Sequence, residues 1–349
     1  MDDMLIDNRK IGLQQPVFVI AEAGVNHNGD LSLARKLVDA SKAAGADAVK
    51  FQTFKAENLN TTWAPKANYH VETTGNSQSW FDLLKSQELT PKMHQDLMAH
   101  CKEVGIIFLS TPYDEESVDL LCDLGVGAFK IASTDANNIP LLKYIAKQKK
   151  PILLSTGMCT LKEVQLSVET IEQEGCRDYL LFHCTANYPT LPQDANLMAL
   201  KTLQERFHKP VGFSDHTQID ESAVAAVALG AVAYEKHFTL DKNLPGPDHR
   251  MSADPEELKR IIQKIRLTQR LLGSAVKAPM ASEMDNRQKL RKSLVAQRTI
   301  QKGEAISEQM VCCKRPGTGL APDQLLIVLG KTANKDIPQD SLINLEDLE

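Results

Sequence analysis

His216 and His237 are the residues whose types and spacing most directly suggest chemistry. Each closes a short apolar run, 211–216 and 233–237, and each lies beside an acid, in Asp215-His216 and Glu235-Lys236-His237. Two imidazoles at one rim could bind a divalent ion and leave other coordination positions to water and substrate. With only two nitrogen donors, Mn2+ or Mg2+ suits the pair better than structural zinc. A lone strand-end histidine is ordinarily a hydrogen-bonded structural residue. Two at matching positions beside acids argue for a metal pair.

A second group is cationic and hydroxylic: Lys50, Ser110, Thr111, Lys130, Ser133, Ser155 and Ser214. Lysines aim charge at anions, and hydroxyls donate to phosphate or carboxylate oxygens. Some of these hydroxyls would only cap the helices that follow. Capping does not account for lysines inside apolar runs, because an unpaired buried ammonium is costly. The group predicts a pocket for a small, highly anionic substrate. Glu22 would face that pocket and handle protons or a substrate hydroxyl. For Glu235, a catalytic role and an ion pair with a neighbouring lysine are both open.

These residues belong to eight apolar runs: 17–22, 48–52, 106–111, 128–133, 151–155, 179–183, 211–216 and 233–237. Apolar residues on both alternate sets of positions suit strands buried on both faces, as in a parallel sheet. Polar residues at the carboxyl ends of such strands are where α/β barrels place their chemistry. Helical patterns lie between the runs. One spans 31–44, between Asn28-Gly-Asp30 and Gly45, and another spans 92–104, between Thr90-Pro91 and Gly105. Others cover 115–124, 139–147, 161–174, 196–206, 221–229 and 254–272. The alternation predicts an α/β fold, a (β/α)8 barrel over 1–272. A doubly wound sheet would carry G-x-G-x-x-G in its first turn, which here reads Glu22-Ala-Gly-Val-Asn26-His27-Asn28-Gly29.

Residues 1–15 would form a hairpin or plug at the barrel bottom. Residues 54–89, with Trp63, Tyr69, His70, Asn76 and Trp80, form a long excursion that is either an active-site lid or a surface insertion. A polar, aperiodic linker is expected over 273–287. A small β-rich module over 288–349 would need another surface for stability.

A net charge of −5 without long blocks argues against a nucleic-acid surface or a basic membrane face. No apolar run is long enough to span a bilayer, and the start lacks signal-peptide character. Seven cysteines without a CxxC pair fit a reduced, cytoplasmic enzyme in which they serve as small buried packing residues.

Eight motifs carry a family resemblance. They are Ala21-Glu-Ala-Gly-Val-Asn-His-Asn-Gly29, Val49-Lys-Phe-Gln-Thr-Phe54, Phe108-Leu-Ser-Thr-Pro112 and Ser155-Thr-Gly-Met158. The others are Gly212-Phe-Ser-Asp-His216, Glu235-Lys-His-Phe-Thr239, Gly246-Pro-Asp248 and Lys314-Arg-Pro-Gly-Thr-Gly319. Together they resemble the bacterial sialic acid synthase family over essentially the whole chain. The resemblance implies a TIM barrel followed by an antifreeze-like (SAF) β-rich domain, in a domain-swapped homodimer. It implies a transferase that condenses phosphoenolpyruvate with an N-acylated mannosamine-type sugar and releases phosphate. His216 and His237 would bind Mn2+ or Mg2+. Phosphoenolpyruvate would meet Lys50, Thr111, Lys130, Ser133, Ser155 and Ser214, with Asn187 on the phosphate side. Asn187 adjoins Tyr188 here, whereas some members have Thr-Asn-x-Tyr. The sugar would meet Gln52, Asn76, Asp135, Tyr188 and Asp248, with Glu22 between the substrates and Arg315 reaching in from the partner subunit.

N-acetylneuraminate synthesis is the favoured activity. Legionaminic or pseudaminic acid synthesis from a 6-deoxy-2,4-diacetamido hexose is the alternative. Remoter rivals are a Schiff-base aldolase using Lys130 and a non-catalytic sugar-binding regulator on the same scaffold.

Overall fold

Short, fully buried strands alternate with amphipathic helices from Phe18 to Leu272 in the structure, a computed structural model that describes residues 3–349. The eight strands are β3 (Phe18–Gly24), β4 (Ala48–Thr53), β5 (Ile107–Pro112), β6 (Phe129–Ile131), β7 (Ile152–Ser155), β8 (Tyr179–Cys184), β9 (Val211–Asp215) and β10 (Ala233–His237). They form one parallel sheet in the order β5-β4-β3-β10-β9-β8-β7-β6, so first and last strands of the set pair as a barrel requires. β5 and β6 pack side by side at the seam, where the described residues form no paired ladder.

The sheet has two apolar faces because the strand residues are apolar at both parities. Outward side chains such as Val19, Val49 and Leu154 pack under the helices. Inward ones such as Phe18, Ile20, Leu153 and Phe182 fill the lower barrel. The hairpin of β1 (Met4–Ile6) and β2 (Arg9–Ile11) adds buried Met4, Ile6 and Ile11 to this interior cluster, which is the expected plug.

Helix ends follow the cap residues. Asp30 accepts from the amides of Ser32 and Leu33 at the start of Leu31–Ala44, and Gly45 ends that helix at φ 97°, a conformation that favours glycine. Thr90 caps Pro91–Val104, and the Asp254/Glu257 capping box opens Pro255–Leu272.

The 54–89 excursion holds three short helices, Ala56–Leu59, Asn68–Thr74 and Trp80–Ser86. It is tied down by its own small core of Val25, Phe54, Ala56 and Leu84.

The chain divides after Gly273. In the second unit, Ser274–Glu349, a helix, Met284–Leu290, with no buried side chain crosses the end of the stretch read as an aperiodic linker. β11 (Ser293–Ala296) and β12 (Val311–Lys314) pair antiparallel over a core that includes Leu294, Ile300, Ile306, Val328, Ile337 and Ile343. This module therefore has a core of its own, though a small one. All cysteines are free thiols. Among the described residues no helix is long and apolar enough to cross a membrane.

Candidate active site

Strand alternation decides which side chains enter the barrel mouth. On β10, Glu235 and His237 point inward while Lys236 points outward, and Ser214 and Asp215 alternate likewise on β9. The outward pair closes a buried network: Lys236 meets Asp215 at 3.4 Å, and Asp215 also accepts from Tyr234 and Ser222 at 2.7 Å each. The inward residues line a cavity of about 560 Å3 at the carboxyl ends of the strands.

At its deep end lie four buried charges. Lys50 Nζ is 2.6 Å from Glu22 Oε2 and donates to Thr111 Oγ1 at 3.1 Å. Lys130 Nζ donates to Ser155 Oγ at 2.6 Å. Glu235 bridges the two lysines, 3.9 Å from Lys50 and 3.4 Å from Lys130, and accepts from Ser214 at 3.1 Å. Glu235 is thus ion-paired with two lysines while facing the cavity. Gln52 donates to the other oxygen of Glu22 at 3.1 Å.

Burial is the main influence on each charge. It raises the Glu22 carboxyl despite Lys50. It lowers the Lys130 ammonium despite Glu235. At Lys50 the two carboxylates overcome burial and raise the ammonium, and at Glu235 the two lysines overcome it and hold the carboxyl low.

The histidines form the other corner, their ring centroids 5.4 Å apart. His216 Nδ1 lies 2.8 Å from the Thr185 carbonyl, which can only accept, so that nitrogen carries a proton. Burial opposes the charged ring, but Cys184 and that carbonyl raise the imidazole above its ordinary value. His237 Nδ1 is buried without a hydrogen-bond partner, and Asp248 Oδ2 is 3.8 Å away. Burial, then His216, holds His237 well below its ordinary value, so it is neutral as ligation demands. Burial, then Glu22, raises Asp248 to about 7. Among the described residues no three His, Cys, Asp or Glu side chains form a closed cage. The two imidazoles are the nitrogen donors present at this corner, too few for the four-ligand cage of structural zinc.

Ser133, Asp135 and Tyr188 also line the cavity. Ser133 Oγ accepts from the Gly157 amide at 2.9 Å, and a Cβ at Gly157 would lie 2.7 Å from that oxygen. The approach requires glycine.

Two residues expected in this chain's own cavity are not gathered there. Asn76 is exposed beyond its helix. Asn187 is exposed, with its amide donating to the Pro189 carbonyl at 3.2 Å, while the adjacent Tyr188 lines the cavity. Arg315, expected to serve a partner subunit, is exposed just after β12 in the second unit. Ser110 is on the wrong parity: it faces Thr53, 2.6 Å away, while Thr111 lines the cavity. Conversely, Cys184 lines the cavity 3.7 Å from His216 and is more than remote packing. Tyr113 and the excursion's Tyr69, His70 and Trp80 join it as well, whereas Trp63 is 80% exposed.

Residues 37–277 match the NeuB family and residues 291–349 match the SAF domain. The chain is 47% identical to the N,N'-diacetyllegionaminic acid synthase of Campylobacter jejuni, over 93% of this chain and 98% of that protein. It is 44% identical to the synthase of the same name from Legionella pneumophila, over 98% and 99%. A crystal structure of N-acetylneuraminic acid synthetase from Leptospira borgpetersenii, in complex with citrate, matches with a TM-score of 0.72 and 34% identity, over 82% of this chain and 95% of that one. With a parallel barrel, a charged cavity at its strand ends and a C-terminal SAF domain, the chain belongs to the NeuB family and is an enzyme of the sialic, or nonulosonic, acid synthase type.

Proposed function

We propose that the enzyme condenses phosphoenolpyruvate with a 6-deoxy-2,4-diacetamido hexose to give a legionaminic-type acid, releasing phosphate. The observation that carries the reaction is the juxtaposition, in one cavity, of two buried lysines with hydroxyl partners and two imidazoles whose centroids are 5.4 Å apart. The identities favour the alternative sugar over the N-acetylmannosamine preferred from the sequence. Relatives named for N,N'-diacetyllegionaminic acid are 47% and 44% identical, against 34% for the N-acetylneuraminic acid synthetase.

In this reading Lys50, Lys130 and the hydroxyls of Thr111, Ser133, Ser155 and Ser214 hold the phosphate and carboxylate. Gln52, Asp135, Tyr188 and Asp248 hold the open-chain sugar. His216 and His237 would hold Mn2+ or Mg2+, which when bound supplies Lewis-acid polarisation of the aldehyde oxygen. C3 of phosphoenolpyruvate attacks the aldehyde carbon, and water adds to the cation developing at C2. Glu22, which burial makes a better proton holder, takes the water proton, and the aldehyde oxygen gains one to become a hydroxyl. The tetrahedral product loses phosphate by C–O cleavage, leaving a ketoacid.

Phosphate release, measured against a panel of N-acetylmannosamine and 2,4-diacetamido-6-deoxy hexoses with and without added Mn2+, should be greatest with a diacetamido sugar. It should also fall after metal removal. Bridging oxygen-18 should appear in phosphate, and its retention in the ketoacid would rule out this route. A covalent adduct trapped by borohydride with pyruvate would instead favour a Schiff base at Lys130.

The working form in this reading is a domain-swapped homodimer in which Arg315 serves the other copy's barrel. Arg315→Ala and Lys130→Met proteins, each nearly inactive, should regain activity when refolded together. No recovery in the mixture would count against the swap.

A further inference from the structure

Four rings run in file from the excursion to the histidine corner. The Trp80 and His70 centroids are 4.2 Å apart, His70 and Tyr69 4.0 Å, Tyr69 and Tyr188 5.0 Å, and Tyr188 lies 4.1 Å from His216. All line the one cavity.

The file is held in place. Thr73, on the helix that carries Tyr69 and His70, donates to the Pro247 carbonyl at 3.1 Å. With the Asn60 amide turned so that its oxygen faces the indole, Trp80 donates to it at 2.6 Å. The excursion's part of the wall is also uncharged at neutral pH: burial lowers His70 to about 4 and raises the Tyr69 phenol.

We propose that this aromatic file is the specificity-determining wall for the sugar, reading the apolar methyls of its deoxy carbon and acetamido groups. The inference rests on the sugar assignment above. The buried charges at the deep end take the anionic substrate, so the sugar is left against the rings. A methyl buried on an aromatic face gains, whereas a hydroxyl there gives up hydrogen bonds to water without replacement. Single-methyl discrimination of this kind is typically about 10–200-fold.

The test is steady-state kinetics of wild type, Tyr69→Ala and Trp80→Ala with a 2,4-diacetamido-6-deoxy hexose and with N-acetylmannosamine. Tyr69 packs outside the excursion's own core, so its variant keeps the test usable if Trp80→Ala fails to fold. The kcat/KM ratio between the sugars should collapse by about 10-fold or more, with KM for phosphoenolpyruvate unchanged and Tyr69→Phe keeping the wild-type ratio. A wild-type ratio preserved in Tyr69→Ala would overturn the wall while leaving the sugar assignment standing. Wild type that does not prefer the diacetamido sugar would overturn both.

Discussion

Lys50→Met should destabilise the barrel domain by about 3–5 kcal/mol, the usual result of removing one partner from a buried ion pair. The methionine keeps the volume of the stem and removes only the ammonium. Glu22 and Glu235 would then face each other in a site where both are almost wholly buried, and Thr111 would lose its donor. The loss should depend on pH. Burial already raises Glu22 above its ordinary value near 4.5, and the variant removes the lysine that opposes the rise. Between those two values the folded chain holds a proton that the unfolded chain has released, so stability falls as pH rises through the window. Urea midpoints should therefore differ more from wild type at pH 8 than at pH 5. An equal difference at both pH values would mean that the carboxylates find other partners.

Lys130→Met should act on catalysis more than on folding. Its ammonium has Ser155 at 2.6 Å and Glu235 at 3.4 Å, and Glu235 keeps Ser214 and Lys50 when Lys130 is gone. What disappears is one of two cations facing the anion pocket. Losing a desolvated charge partner of this kind typically costs about 2–5 kcal/mol, or roughly thirty-fold to a few thousand-fold in kcat/KM. The fall should appear with phosphoenolpyruvate as the varied substrate, with sugar KM little changed. Unchanged phosphoenolpyruvate kinetics would remove Lys130 from the site.

The barrel was legible because buried parallel strands need apolar residues on both faces, and such runs are rare outside a parallel sheet. The predicted and observed strands agree to within a residue or two at most ends, and helix starts follow Asp30, Thr90 and Asp254. Most of the proposed site was legible for the same reason: Lys50, Lys130 and Glu235 are charged where only apolar residues are otherwise tolerated. Asn187 and Asn76 were not, because loop backbone has no period from which a direction can be read. Ser110 failed by one position, since a shift of one residue along a strand moves a side chain to the other face.

The sequence by itself determined the barrel, the small second domain and the polar rim, since these follow from periodicity, caps and charges placed in apolar runs. Tertiary structure alone decided the pairings. Glu235 bridges two lysines from different strands, 185 and 105 residues away along the chain by their numbering. Tyr69, His70 and Trp80 reach Tyr188 across more than a hundred residues of sequence. Local composition cannot encode such distances: they arise only when the sheet closes and the excursion packs over its mouth, placing residues from remote segments within a few ångströms.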